Sequence, residues 1–431
     1  MKNNNEYPLF TVIIPEQNRA EYLGWTLKTC MIQDYPNFEV IVSDDCSDDN
    51  SAEVAKQMAA KDSRIKVFAH DHHLGMRDNF EFALNQVRPG YVLALGGDDG
   101  ICAGGIQRMY EIIKESGKEL LTWPNTEFFY STVEGNGGKL QIQRCKDKGI
   151  QILRSEEFLN KIARTFHYLI NECPMFYIKG VASTKLVDRV KARTPDHNFY
   201  YCPTPDGFSG VVLAGEVEDY AYVTEPLTLS GITRKSQGVA YMKTDKNSRK
   251  QAEEFFKDNV RKTMHPELAS QQYSPFIELM TADYLLTAKD LPGWPGRFNM
   301  FKFEDLIKAC FKMLESTPYE NDVLMREMKI LREIAKYHGL LDLYENLYNS
   351  TKRKIRQQRP FKGLFVSTRT VIMGSKEIGV NNIYEAALVA PSFYKFFDKV
   401  SEISFGNVVR RVANTFIDKY KYQIAPLPII D

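Results

Sequence analysis

Along the first hundred residues, short and nearly continuous apolar runs alternate with longer stretches of helical periodicity. The runs are Phe10 to Ile14 (FTVII), Phe38 to Val42 (FEVIV), Ile65 to Phe68 and Tyr91 to Leu95 (YVLAL). Runs of this kind fit parallel strands buried on both faces better than strands with one wet face. Between them the spacing predicts helices from Asn18 to about Gln33 and over about 51–60, 77–86 and 104–116. Asn18 and Glu21 stand as N-cap and third helical residue of a capping box. Strand, helix, strand, helix predicts a doubly wound α/β domain whose ligands bind at the carboxyl ends of the strands.

After Leu120 the pattern loosens into mixed strands and loops, with one helix near 155–165, and ends around Gln237. No strand pattern survives from about 240 to 350. There Thr317 to Glu320 forms a capping box with Pro318 at the first helical position, and Leu324, Met328, Leu331 and Ile334 follow at helical spacing. The expected division is an α/β domain over 8–238, a helical domain over 239–350, and a basic, aromatic-rich C-terminal region over 351–431.

Charge changes the picture of that last region. The 56 Lys and Arg nearly cancel the 55 Asp and Glu over the whole chain, which argues against a whole-chain polyanion binder and against DNA as a partner. Residues 352–431 nevertheless hold 14 basic and 6 acidic residues, and the run Lys352 to Lys362 contains no acid at all. With Phe361, Leu364, Phe365, Phe393, Tyr394, Phe396 and Phe397 interleaved, this stretch suits docking on an anionic membrane surface, or equally a solvated helix face or linker. The apolar stretches of the helical region would also serve a homo-oligomer. Seven scattered cysteines without a C-x-x-C pair encode neither a disulfide framework nor a zinc knuckle, so a reducing cytoplasm is the simplest location. The first residues lack the apolar segment of a signal peptide, and no stretch approaches the ~20 apolar residues that span a bilayer. Together these place the protein in the cytoplasm, either free or peripheral at the inner face of the cell membrane.

The candidate chemistry lies in aspartates just after the apolar runs. Asp44, Asp45, Asp48 and Asp49 follow the second run, and Gly96-Gly97-Asp98-Asp99-Gly100 follows the fourth. In a parallel sheet both clusters leave the same edge and converge on one crevice. Neighbouring carboxylates repel unless positive charge lies beside them, and a hard divalent cation that also binds a diphosphate supplies it. Read separately, each cluster is equally well an Asx-rich loop or a turn. Asp71-His72-His73 fits a polar loop better than a metal-dependent phosphoesterase motif. No G-x-G-x-x-G, G-x-x-x-x-G-K-[ST], H-E-x-x-H or G-x-S-x-G occurs, which removes the dinucleotide-binding, P-loop, zinc-protease and serine-esterase readings.

The order Thr11-Val-Ile-Ile-Pro15, Asn18-Arg19, Gln33 to Val42, Asp44-Asp45-Cys-Ser47-Asp48, Leu74-Gly75 and Asp98-Asp99 resembles the GT-A glycosyltransferases of family 2, over about residues 8 to 236. The resemblance implies a GT-A nucleotide-sugar-binding, Rossmann-like domain, followed here by an α-helical C-terminal region. It implies inverting transfer of a sugar from a nucleotide-sugar donor to a polysaccharide or lipid-linked saccharide acceptor, with Mn2+ or Mg2+. It implies that Pro15 packs on the nucleotide, Asp45 hydrogen-bonds the nucleobase, and Arg77 and Arg234 present positive charge to the nucleotide and diphosphate. Asp99 would be the direct metal ligand and Asp98 a ligand to metal or ribose. Asp206, upstream of Glu225-Pro-Leu227, would be the catalytic base, ahead of Glu218 and Asp219, which read as a turn. Glu16 departs from the family pattern, which has a small residue there; its carboxylate is expected to face the nucleotide pocket and to repel phosphate unless paired, for instance with Arg19. A catalytically silent GT-A scaffold in a polysaccharide-synthesis complex is the alternative.

Overall fold

A computed structural model describes residues 7–133, 137–143, 149–202, 204–236, 263–274, 276–316, 321–355 and 370–400. The Thr317 to Glu320 box, Cys145, Phe361, Leu364 and Phe365 lie outside the described residues.

The first part of the chain runs β1 (Phe10–Glu16), α1 (Ala20–Met31), β2 (Phe38–Asp44), α2 (Ser51–Ala59), β3 (Ile65–Ala69), α3 (Met76–Asn85), β4 (Tyr91–Ala94), β5 (Gly100–Ile101) and α4 (Gly105–Ser116). There follow β6 (Leu120–Thr122), β7 (Glu127–Phe129), β8 (Lys139–Gln143), β9 (Gln151–Arg154), α5 (Ser155–Thr165), β10 (Gly180–Ser183), α6 (Thr184–Lys191), α7 (Pro205–Glu216), β11 (Asp219–Tyr222) and β12 (Thr228–Ile232). Helices α8 (Ile277–Lys289), α9 (Phe303–Ser316), α10 (Asn321–Tyr337) and α11 (Leu341–Ile355) come next, then β13 (Thr370–Gly374) and α12 (Ile383–Val400).

The main sheet has the order β3-β2-β1-β4-β10-β6-β11-β9. Strands β3, β2, β1 and β4 are mutually parallel, while β10 runs antiparallel to both neighbours. Side-chain alternation sends Ile13, Ile41, Val92 and Ala94 into one core with α5 and α7, and Phe10, Val12, Ile14, Val40 and Val42 into another with Leu23, Leu27, Ile106 and Met109. Burying each such side chain stabilises the fold by about 1.5–3 kcal/mol, so this half of the sheet is a firm base for the loops at its carboxyl edge. A second sheet, β13-β8-β7-β12-β5, stands beside it.

Strands β1 and β2 run on past the predicted Ile14 and Val42, so that Pro15 lies opposite Ser43 and Glu16 opposite Asp44. The pairing of β1 with β4 has already stopped at Ile13, so the missing N–H of Pro15 costs no ladder bond on that side. Helix α1 starts later than the capping box predicts. Asn18 adopts a positive φ of 56° and its side chain accepts from Asp48 N and Asp49 N, at 2.9 and 3.3 Å. The free N–H groups of α1 are met from the neighbouring loop instead, by Ser51 Oγ on Arg19 N (2.8 Å) and Asp49 Oδ2 on Ala20 N (3.2 Å).

Helices α8 to α11 enclose a core of their own around Leu279, Ile307, Phe311, Leu331 and Ile334. Helix α8 also packs on α7; Trp294 Nε1 donates to Val212 O at 3.1 Å, and Arg193 ties Glu216 to the carbonyls of Pro292 and Gly293. Residues 370–395, placed by sequence in a separate C-terminal region, return to the first part of the chain. Strand β13 extends the second sheet, and Ile383, Ala386, Ala387 and Ala390 of α12 are buried against Tyr22, Cys102, Phe128 and Leu229. Ala103 N donates to Ala387 O at 3.1 Å, and the Tyr394 hydroxyl lies 2.6 Å from Thr224 Oγ1. No described helix is long and apolar enough to cross a membrane.

Candidate active site

The acidic pair leaves β4 and turns back through Gly96 and Gly97 into β5. A side chain at Gly97 would collide with Arg19 and Glu16, with the nearest atom 2.9 Å away, which is why the approach of β4 to the end of β1 needs glycine. Asp99 is fully enclosed. Its Oδ2 accepts from Gly96 N at 2.6 Å, its Oδ1 from Gly231 N at 2.9 Å, and the Tyr177 phenol is a further partner. Asp98 accepts from Thr233 Oγ1 at 3.0 Å and Ser236 Oγ at 3.4 Å, with Arg19 Nε 3.7 Å away. Burial raises both carboxyls above the ordinary range, Asp99 to about 7, where the charge of Asp98 adds to the effect of burial.

Segment 231–236 closes over this pair. Arg19 Nη2 donates to Lys235 O at 3.0 Å, and Lys235 Nζ donates to Asn18 O at 2.8 Å. Arg234, between them, is mostly exposed and lies 3.6 Å from Glu21. Its flanking Thr233 and Ser236, rather than Arg234 itself, hold Asp98.

The Asp44 to Asp49 cluster is divided among several tasks. Asp44 Oδ2 accepts from Ser47 N at 3.2 Å. Asp45 accepts from Leu74 N (2.6 Å) and Gly75 N (3.1 Å), with His73 Nδ1 at 2.9 Å, so it orders the loop that enters α3. Asp49 serves the starts of α1 and α2. Pro15 is buried at the end of β1. Glu16 does not find its partner in Arg19, which is held by Asp98 and three carbonyls. The Glu16 carboxyl turns to Asp44 instead; neither Glu16 oxygen nor Asp44 Oδ1 meets any donor from the rest of the protein. Burial, with Asp44 adding to it, lifts the Glu16 carboxyl to about 9 and so favours its protonated form.

Arg77 is neither solvated nor free. It is buried, donating from Nε to Tyr200 O at 2.5 Å and from Nη2 to Asp196 Oδ2 at 2.7 Å, with Asp78 at 3.1 Å. The structure therefore does not bring Arg77 to the acidic pair; it ties α3 to the loop before α7.

Asp206 opens α7 directly after Pro205 at the first helical position, and its Oδ1 accepts from Gly207 N at 2.8 Å. Helix starts favour negative charge. Thr204 and Tyr284 share a short hydrogen bond beside it, and Tyr168 flanks it, so α8 shapes its surroundings. Burial raises the Asp206 carboxyl above the ordinary range even though part of its surface is open. Segment 173–177 joins α7 to the acidic pair: Phe176 N donates to Ser209 Oγ at 2.9 Å, and the phenol of Tyr177 lies in the field of Asp99, Asp98 and Asp206 together.

Sequence reasoning missed Tyr177, Thr233 and Ser236. The last two flank a segment already singled out for Arg234, so a hydroxyl count there would have found them; nothing in the sequence marks Tyr177. Among the described residues no three His, Cys, Asp or Glu side chains gather as a metal site. Two carboxylates do fit Mg2+ or Mn2+, which take one or two from the protein and complete their shell with phosphate and water. The buried pair has a single guanidinium beside it, which leaves room for further positive charge.

The profile described as Glycosyl transferase family 2 matches residues 11–176. GlyG of Streptococcus pneumoniae, a glycosyltransferase, is 23% identical over 36% of the chain and 50% of its own length. The GalNAc(5)-diNAcBac-PP-undecaprenol beta-1,3-glucosyltransferase of Campylobacter jejuni is 31% identical over 25% of the chain and 35% of its own. The putative teichuronic acid biosynthesis glycosyltransferase TuaG of Bacillus subtilis is 30% identical over 26% and 44%. The chain thus spans half or less of the length of these three relatives. Among solved structures, TarS 1-349 of S. aureus in complex with UDP-GlcNAc aligns with 85% of the chain and 97% of its own, at 15% identity and a TM-score of 0.45. Residues 11–176 thus match the glycosyl transferase family 2 model, and the curated relatives that align with part of the chain are glycosyltransferases.

Proposed function

We propose that the protein is an inverting glycosyltransferase that moves a sugar from a nucleotide-sugar donor to a saccharide or lipid-linked saccharide acceptor. The observation that carries this reading is the buried pair Asp98 and Asp99 at the carboxyl edge of the main sheet, held by Gly96 N, Gly231 N and Thr233 with Arg19 beside it. The Campylobacter and Bacillus relatives, an undecaprenol-linked glucosyltransferase and a teichuronic acid glycosyltransferase, support the acceptor class.

The mechanism follows from the positions of the side chains. Asp98 and Asp99 would hold Mn2+ or Mg2+, which when bound supplies positive charge to the departing diphosphate. Arg19 adds a fixed positive charge next to Asp98, and segment 233–236, with Lys235 and Arg234, lies over the same end of the crevice. Pro15 and the loop ordered by Asp45 form the wall on which the nucleoside would pack. Asp206 accepts the proton of the acceptor hydroxyl as that oxygen attacks the anomeric carbon; its partial burial places its affinity for a proton closer to what such a transfer needs. Attack from the side opposite the diphosphate inverts the anomeric configuration. The test is calorimetry with UDP-, GDP-, CDP- and dTDP-sugars, with and without Mn2+. One donor should bind in a metal-dependent way and lose at least tenfold in affinity in Asp98→Asn. A second reading, a catalytically silent scaffold in a polysaccharide-synthesis complex, draws on the buried Glu16 and the diverted Arg77, and predicts no binding to any donor.

A further inference from the structure

Residues 177–179 form a turn that the sequence gives no reason to expect. Lys179 N donates to Tyr177 O at 2.8 Å across Ile178, whose φ is 65°. That is the positive-φ form of the γ-turn, the rarer and strained one, with a β-branched residue at its centre. Three bonds hold it there. Ile178 N donates to Ala94 O at 2.8 Å, Thr228 Oγ1 donates to Ile178 O at 2.5 Å, and the buried indole of Trp123 donates to Thr228 Oγ1 at 2.7 Å. The strand carrying the acidic pair is thus bonded directly to the strained residue.

The turn sends its two neighbours in different directions. Lys179 is buried and donates from Nζ to Ile170 O and Asn171 O, both at 2.8 Å. Tyr177 goes to the acidic pair: a methyl group added at Gly96 would lie 2.7 Å from its phenol oxygen and 2.9 Å from Asp99 Oδ2, so both atoms crowd the same glycine. Its ring packs edge-on against Phe80 with centroids 5.9 Å apart, which fixes the plane of the phenol. Strain held this firmly beside a candidate site is a mark of function rather than an accident of chain path.

We propose that Tyr177 is a positioning residue, whose phenol hydroxyl holds Asp99 in the orientation in which the acidic pair receives metal and diphosphate. The proposal rests on the glycosyl-transfer reading of the site. Gly96 N and Gly231 N fix Asp99 from the backbone, and the Tyr177 phenol comes against Asp99 Oδ2 across Gly96.

The experiment compares wild type, Tyr177→Phe and Asp98→Asn by calorimetry with UDP and GDP, each in the presence and absence of Mn2+, together with thermal unfolding midpoints. Tyr177→Phe keeps the ring and removes only the hydroxyl. For whichever nucleotide wild type binds, Tyr177→Phe should weaken the Mn2+-dependent affinity about tenfold, the size of one hydrogen bond to a charged group, with an unchanged midpoint. Thr228→Val, which releases the Ile178 carbonyl, should move affinity in the same direction by a smaller factor. Wild-type affinity in Tyr177→Phe, whether or not its midpoint falls, overturns the proposal while leaving the site reading intact if Asp98→Asn loses binding. Full binding in Asp98→Asn as well overturns both.

Discussion

Two pairs of buried carboxyl groups stand at the same edge of the same sheet, and their surroundings make them opposites. Asp98 and Asp99 meet donors on every side: two backbone N–H groups, two hydroxyls, a phenol and a guanidinium. Glu16 and Asp44 have almost none, and burial, with Asp44 adding to it, pushes the Glu16 carboxyl up to about 9. Charge that is to act on a ligand must be kept ionised by its neighbours, whereas charge without such neighbours is neutralised. The first pair keeps donors and a guanidinium for its charge although burial raises both carboxyls, so a bound cation would favour its ionised form; the second closes the end of β1 with Glu16 shifted toward its neutral form.

Breaking the first pair should have the largest effect. Asp99→Ala should lower metal-dependent donor binding at least a hundredfold and destabilise the turn at Gly96, because it leaves Gly96 N and Gly231 N buried without acceptors. Titration calorimetry and thermal unfolding read the two effects separately. Removing residues 356–431 comes next. The basic tail reads in the sequence as a membrane-docking stretch, a solvated helix face or a linker, but β13 and α12 lie behind the acidic loop, with Ile383 3.0 Å from where a side chain on Gly100 would begin. That truncation should lower both the unfolding midpoint and donor affinity, whereas truncation after residue 400 should spare both. Ile383→Ala alone should cost about 2–4 kcal/mol, read by denaturant unfolding.

The second pair gives a pH signature. An acid raised from 4.5 to about 9 in the folded protein binds a proton that the unfolded chain has already released. Its contribution is complete below 4.5 and is lost as pH rises toward about 9. Glu16→Gln keeps the shape without the ionisation, so it should be more stable than wild type by a few kcal/mol at pH 8.5 and nearly equal at pH 4.5, with donor binding retained. Denaturant midpoints at the two pH values measure this. Arg77→Met should have the smallest effect on donor affinity, within about threefold, while lowering stability, since its guanidinium serves Tyr200 O and Asp196.

The parallel half of the sheet was legible because its signal is local: FTVII, FEVIV and YVLAL each carry their own strand pattern, and the aspartates follow at fixed offsets. The burial of Asp98 and Asp99 at one edge follows from that pattern alone. What escaped depends on contacts distant in sequence. Asn18 is a plausible N-cap until Asp48 and Asp49 arrive from the next loop to claim its side chain. Arg77 suits a nucleotide until Asp196, more than a hundred residues on, takes it. Tyr177 depends on a backbone state that Ile178 disfavours, and only Ala94, Thr228 and Trp123 together make it tolerable. Residues 370–395 lack a strong pattern, because their strand adds to an edge and their helix, interrupted by Pro391, is apolar on a face that only the second sheet explains.

The contrast between a ligand-binding pair and a separate base is tested most directly by donor turnover in Asp206→Asn. With the donor selected by calorimetry, release of nucleoside diphosphate should fall by about 10²–10⁴, while donor affinity stays within twofold of wild type. Turnover at the wild-type rate in Asp206→Asn would contradict the assignment of the base and, with it, the proposed reaction.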